Sequence, residues 1–408
     1  MFAKINSFDI NAFLFLFLMV VLPSFLHGFS GASSLSLGLL VASFLVFFFV
    51  HKVYLPSLLL SLFYIIFFAH YFIGLVFFDF QIKSFLSFFS FVFLVFVAYQ
   101  VSSYIFNRRE VYQNVGGSIL CFLYFFIFIM LLAVISDFQF GKFFFNTHKP
   151  VFPFTEPSHA ALAIAPFYAF GLLRLSRKYG FLLFLSLMLF SIIMQSFLLL
   201  IISFSCYFLF GIRGTLKFPI FFLALVPFVY FLLSNDYYYQ RLSLSNSSTN
   251  LTALVYLQGI QDALNSLKNT DGFGLGFQML GYQPPSEAHY RIVEIMGEDS
   301  NHPGLNRFDG GFLAAKVIAE FGLIGVLFVF YYIFLLFFII IKISNAQNSE
   351  IKNIDPVFLL ALCSIFSFSY EFFIRGVGYF SPGIFLFLCS VFYLMKVRNI
   401  SFYGKMIK

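Results

Sequence analysis

Twelve apolar runs, each near the length that crosses a hydrocarbon core of about 30 Å, take up most of this chain. They lie at about 10–26, 35–50, 55–78, 84–106, 116–136, 159–173, 179–194, 197–212, 216–233, 311–341, 356–370 and 378–395. In lipid the backbone must satisfy its own hydrogen bonds, so each run is predicted to be a helix despite its Phe, Ile and Val content. The expected fold class is all-α, a polytopic transmembrane helical bundle of about 12 spans. Composition agrees: the chain is 61% hydrophobic and 10% charged, whereas soluble domains carry roughly 25% charged residues. Phe supplies 70 residues and Trp none, so Phe stripes carry little positional information. The first run follows Lys4 and resembles a secretory leader. Its length, Pro23 and the lack of a small-x-small cleavage site make it the first helix instead.

Charge orients the runs. Basic residues crowd into alternate connections: Lys52; Arg108 and Arg109; Arg174, Arg177 and Lys178; Arg213 and Lys217; Lys342 and Lys352; and the C-terminal Lys396, Arg398, Lys405 and Lys408. The short opposite connections hold only Lys83, Lys142, Lys149 and Arg375. The positive-inside rule therefore predicts cytoplasmic termini. It also settles the stretch from Gly180 to Gly211, which has basic groups before and after it. An even number of crossings is required, so two short helices turning at Gln195–Ser196 are expected. Most of the acidic residues fall on the outer side. The net charge of +7 is spread over short loops rather than gathered on one soluble face, so no nucleic-acid partner is expected.

The pattern divides the chain into residues 1–233 (about nine spans), 234–310 (one large outer loop) and 311–408 (about three spans). The loop opens on Asn235-Asp236, three tyrosines and Arg241. A Ser/Asn/Thr cluster at 243–250 supplies turn and N-cap residues for an amphipathic helix over about 251–267. That helix is expected to lie on the membrane surface or on the bundle. The following Asp271-Gly-Phe-Gly-Leu-Gly-Phe-Gln278 has the wrong spacing for a dinucleotide fingerprint. It reads as a turn, or as a backbone that comes close to a neighbour. A polar run from Arg291 to Asp309 ends the loop. His302 is a candidate base by its reference pKa, and Asp309 is a candidate N-cap of the next helix or a catalytic carboxylate.

Other ionisable residues sit at helix ends near membrane depth, where they are costly unless paired or wet. Glu156 and His159 flank Pro157-Ser158. Lys316 and Glu320 lie in the first turns of the tenth run. Glu371 and Arg375 are four apart, at pairing distance on a helix. The four cysteines all lie in apolar runs, so no disulfide framework is expected. No HExxH-like spacing occurs, so neither metal nor cofactor is expected.

These residues resemble the O-antigen polymerases (Wzy-type) of the O-antigen polymerase/ligase superfamily. Thr155-Glu-Pro-Ser-His159 is similar to that family's Glu-Pro-Ser segment at a helix start. Gln195-Ser196 matches the polar tip of its short hairpin. Arg241, the amphipathic helix and Gly272-Phe-Gly-Leu-Gly276 resemble its arginine–helix–Gly-x-Gly stretch. Asp309-Gly-Gly-Phe-Leu and Ala319-Glu-Phe-Gly-Leu-Ile-Gly325 resemble the lead into the span after the large loop. Ligase-like members carry His-Asn just before that span; here the position reads Arg307-Phe-Asp309, which favours a polymerase.

The resemblance implies a multi-pass protein of the bacterial inner membrane, with a periplasmic large loop. It implies transfer of a growing glycan from undecaprenyl diphosphate to the non-reducing sugar of a new lipid-linked repeat unit. Lipid and a chain-length regulator protein are the further expected partners. Arg241, Arg291, Arg307 and Arg375 are then the candidates for holding diphosphate, because guanidinium matches phosphate oxygens bidentately. His159 and Glu320 are candidates for substrate binding, Glu320 by orienting an arginine. Asp309, His302 and Glu156 are the candidate bases. The alternatives are a lipid-linked oligosaccharide flippase, which usually lacks one dominant outer loop, and an O-antigen ligase. A secondary transporter would need a matching pair of broken helices, which the sequence does not suggest.

Overall fold

The computed structural model describes residues 9–30, 35–50, 52–77, 80–108, 115–145, 147, 149–212, 214, 217–297, 305–348 and 354–406. Every one of the twelve apolar runs is helical. The first is α1 (Ile10–Leu16), a π turn (Phe17–Val21) and α2 (Leu22–Ser30) in one rod. Next come α3 (Ser36–Phe49), α4 (Leu58–Phe77), α5 (Ile82–Asn107), α6 (Gly116–Ile135) and the single turn α7 (Gln139–Lys142). Then follow α8 (Pro157–Arg174), α9 (Arg177–Ile193), α10 (Phe197–Cys206, continued by a π turn to Gly211) and α11 (Lys217–Ser234). The loop region holds α12 (Asp236–Leu242), α13 (Leu251–Asn269) and α14 (Glu287–Met296). The chain ends with α15 (Leu313–Asn348), α16 (Pro356–Phe373) and α17 (Pro382–Met406). Among the described residues there is no strand, only an isolated bridge between Val151 and Phe154.

Among the described residues, six helices are long and apolar enough to cross a membrane: Ile10–Phe29, Ile82–Asn107, Gly116–Ile135, Lys217–Ser234, Leu313–Ser344 and Pro356–Phe373. Their burial sorts them into layers. The apolar window of Pro356–Phe373 is 72% buried, that of Lys217–Ser234 only 11%. The centre is α8, buried almost without interruption from Ala160 to Leu173. Its five alanines let α6, α10 and α16 approach closely, as small residues do in membrane bundles. The rim, in α4, α11 and the second half of α15, exposes Ile65, Leu223 and Phe334. A surface of that kind is suited to lipid, not water.

The stretch from Gly180 to Gly211 is two helices, turning at Met194–Ser196 with Gln195 at φ +53°. In the loop, Asn250 caps α13 by accepting from the amides of Thr252 and Ala253. That helix packs on α14 and on the start of α15 rather than standing apart.

One span expected to be continuous is broken. Gly322 interrupts α15 with φ 58° and ψ −134°. A break leaves carbonyls without helical partners, which costs several kcal/mol each in lipid. The Gly272–Gly276 segment supplies the missing donors: Leu275 N–H bonds Ala319 O at 3.0 Å and Gly276 N–H bonds Glu320 O at 2.9 Å. Ser266 Oγ adds a bond to Ala319 O at 2.5 Å, and His70 Nε2 lies 2.9 Å from Glu320 O. In return Gly272 O accepts from Leu323 N–H at 2.8 Å. The alternating glycines permit this approach. A Cβ on Gly274 would lie 2.4 Å from Gly322 N, and one on Gly276 2.3 Å from Gly74 Cα. The glycine run is therefore a backbone splint over a broken helix, more than a turn.

Candidate functional site

A cavity of about 1190 Å³ opens where the ends of α2, α8, α10 and α16 meet α12 and α13. It is built up from the start of α8. Glu156 is the extended residue before the helix, and Pro157 occupies its first position, where no N–H is needed. The carboxylate lies at a positive helix end. Arg375 donates to both its oxygens at 3.1 and 3.0 Å, and Ser158 Oγ donates at 2.9 Å. His159 Nε2 is 3.6 Å away. Burial alone raises the Glu156 pKa. Arg375, His159 and Ser158 outweigh it and hold the carboxyl below its ordinary range.

His159, one turn into α8, has Nδ1 3.2 Å from Thr155 Oγ1. Its ring faces His27 of α2, with centroids 6.4 Å apart. On the opposite wall Arg241 lies over the Tyr237 ring at 4.4 Å. Arg241 forms no ion pair among the described residues, and its Nε is buried without a partner. Lys149 donates to Gln195 Oε1 at 2.8 Å, at the hairpin tip that also receives the Tyr237 hydroxyl at Gln195 O. Phe197, Leu244 and Val255 are among the apolar parts of the wall. Tyr256 anchors α13 over the cavity, bonding Phe373 O at 3.0 Å and stacking on Phe312.

Four of the candidate site residues thus converge, Glu156, His159, Arg241 and Arg375, with the hairpin tip Gln195–Ser196 beside them. The others lie elsewhere or outside the described residues. His302 belongs to the latter group. Arg291 pairs with Glu294 at 2.6 Å on the exposed side of α14. Arg307 donates to Gln283 O at 2.7 Å and lies 3.5 Å from His289 Nε2, beneath α13. There burial pushes the Asp262 carboxyl up to about 6, against the pull of Ser286, Gln258 and Arg307.

Three local expectations are corrected. Asp309 is no N-cap, because α15 starts at Leu313 after Gly310 and Gly311, both at φ +71°. Asp309 instead faces Lys316 at 3.6 Å. Glu320 orients no arginine among the described residues; it is fully buried, 3.9 Å from Lys316, and accepts from Leu280 N–H at 3.3 Å. Glu371 and Arg375 do not pair with each other. The helix ends at Phe373, and Arg375 N–H turns back to Tyr370 O, which carries its side chain off the helix face toward Glu156.

His27, Lys149, Tyr237 and Tyr256 were not singled out in the sequence. The only sequence signal for Lys149 was its rarity as a basic residue in a short outer connection. With Arg241, Lys149 and Arg375 against one carboxylate, the cavity carries an excess of positive charge beside apolar walls. Such a site suits an anionic headgroup with an attached apolar or sugar portion. Among the described residues no group of His, Cys, Asp and Glu could hold a metal ion. No protein-family model, curated protein or solved structure matches the chain.

Proposed function

We propose that this protein polymerises lipid-linked glycans in the bacterial inner membrane, with the cavity on the periplasmic side. The reading is supported above all by the convergence of Arg241, Lys149 and Arg375 around Glu156 in one cavity with apolar walls. In this proposal Arg241 and Lys149 hold the diphosphate of an undecaprenyl-diphosphate-linked glycan. Arg375 orients Glu156. An acceptor hydroxyl on a second lipid-linked repeat unit attacks the anomeric carbon of the donor. The carbon–oxygen bond to diphosphate breaks, and the leaving group takes the electron pair onto its oxygens beside the two cations. The hydroxyl proton passes to Glu156, and His159 fixes the carboxylate's position. No nucleotide, metal or cofactor enters this scheme, and the remaining arginines act through the loop's architecture.

The rival readings separate cleanly in cells. Without a polymerase, surface lipopolysaccharide carries a single repeat unit. Without a flippase it carries none, and without a ligase the polymer stays on its lipid carrier. Arg241→Ala and Arg375→Ala, at normal protein level, are expected to shift the polymer ladder strongly toward a single unit. A normal ladder in both variants sinks the proposal. The transporter reading gains nothing from the break at Gly322, because its freed carbonyls are bonded by Leu275, Gly276, Ser266 and His70 rather than open to a cavity.

A further inference from the structure

Ser364, Ser367 and Glu371 stand three and four residues apart on α16, so they share one face. That face turns into the bundle, away from the large cavity. It borders a small space of about 20 Å³ between α8, α16, the π turn at Phe17–Val21 and the start of α17. A cavity needs roughly 10–15 Å³ to hold one water-sized occupant. Glu371 is 2% exposed and Ser367 6%. Glu371 Oε1 and Ser367 Oγ have no hydrogen-bond partner among the described residues. Among the described residues no Lys, Arg or His pairs with Glu371 either, and the hydroxyl beside its carboxylate is that of Ser381.

Three backbone features adapt the space to this carboxylate. Gly383 makes room, since a Cβ there would lie 2.1 Å from Glu371 Oε2. Pro382 opens α17, which sets a positive helix end beside the acid. Pro166 lines the space from α8 and has no N–H to give the Leu162 carbonyl, and Leu162 lines the same space. The lining offers one carboxylate and the hydroxyls of Ser364 and Ser367, beside a turn of α8 whose Leu162 carbonyl Pro166 cannot serve. Oxygen sets of this kind take hard cations. A single negative charge is matched by a single positive one, and a divalent or transition ion would want more charged ligands than this space offers.

We infer that this pocket binds one sodium ion, coordinated by Glu371 and Ser367. The ion supplies the counter-charge that a carboxylate at this depth otherwise lacks. The inference stands apart from the cavity and its chemistry.

The test is thermal unfolding of the full-length protein in detergent micelles at pH 8, with sodium chloride replacing choline chloride at constant ionic strength. Sodium is expected to raise the midpoint saturably, by roughly 2 °C or more, and potassium to do so less. Glu371→Gln is expected to abolish the sodium response. Ser367→Ala, a milder change, is expected to shift half-saturation to at least ~10-fold higher sodium. Equal midpoints in sodium and choline would mean a protonated acid with a water beside it, and would overturn the inference. So would a sodium response that survives Glu371→Gln. Should that variant not fold, an unchanged half-saturation in Ser367→Ala overturns it by itself.

Discussion

The Arg375 guanidinium, just past the end of α16, reaches 219 residues back along the chain to hold both oxygens of Glu156 at the start of α8. The pair joins two of the most buried helices at the mouth of the cavity. Glu156→Gln and Arg375→Ala are each expected to lower polymerisation roughly 10- to 100-fold, the value of charge-assisted hydrogen bonds in a partly buried setting. The double variant is expected to lose little more than the worse single one, because the two act as a unit. Full additivity in a purified assay would contradict this.

The same pair sets a pH dependence. The folded-state pKa of Glu156 lies below its unfolded value. Its contribution to stability is therefore complete above the ordinary glutamate range and is lost as pH falls through the depressed value. Unfolding midpoints of the native protein and Glu156→Gln should differ at pH 7 and converge on acidification. A gap that widens below pH 4 refutes the assignment.

Asp262 titrates in the opposite sense. Its folded pKa is raised to about 6 by burial beneath α14 and the loop. The unfolded chain loses this proton first, so stability falls as pH rises from the ordinary aspartate value toward about 6. Asp262→Asn is expected to be more stable than the native protein well above pH 6, by roughly 3 kcal/mol, and by much less at pH 4. Denaturant titration at both pH values checks the sign.

The splint over the broken helix predicts which glycines are replaceable. Gly322→Ala places a Cβ 2.0 Å from Gly272 O at positive φ. Gly274→Ala drives one into Gly322 N. Both are expected to abolish folded protein in the membrane. Gly297, also at positive φ but with nothing within 4 Å, should cost only about 1 kcal/mol on change to alanine. Membrane-fraction yield and unfolding midpoints distinguish the two outcomes.

Arg241 and Lys149 are expected to act on binding. Arg241→Ala should weaken capture of polyprenyl diphosphate more than Arg291→Ala, which leaves the cavity wall intact. Binding of the labelled lipid to micellar protein measures this. A reporter joined near residue 270 is expected to be periplasmic; a cytosolic one removes the site from its substrates.

Periodicity and charge alone determined the helical segments, because in lipid every long apolar run must satisfy its backbone within itself. They also determined the hairpin at Gln195, since basic groups on both sides demand an even number of crossings. Glu156, His159 and Arg241 were legible as candidates because polar groups at helix ends are costly enough to stand out. Their partners were not. Local spacing put Glu371 with Arg375, yet α16 ends two residues too soon and the chain turns, so Arg375 goes to Glu156 and Glu371 faces a small pocket inside the bundle. In the same way Gly322 looks like any glycine in an apolar run until Gly272–Gly276 is seen to bond its broken turn. Sequence fixes which groups a segment carries and how they repeat; which groups meet depends on where helices stop and cross, and that is a property of the packed whole.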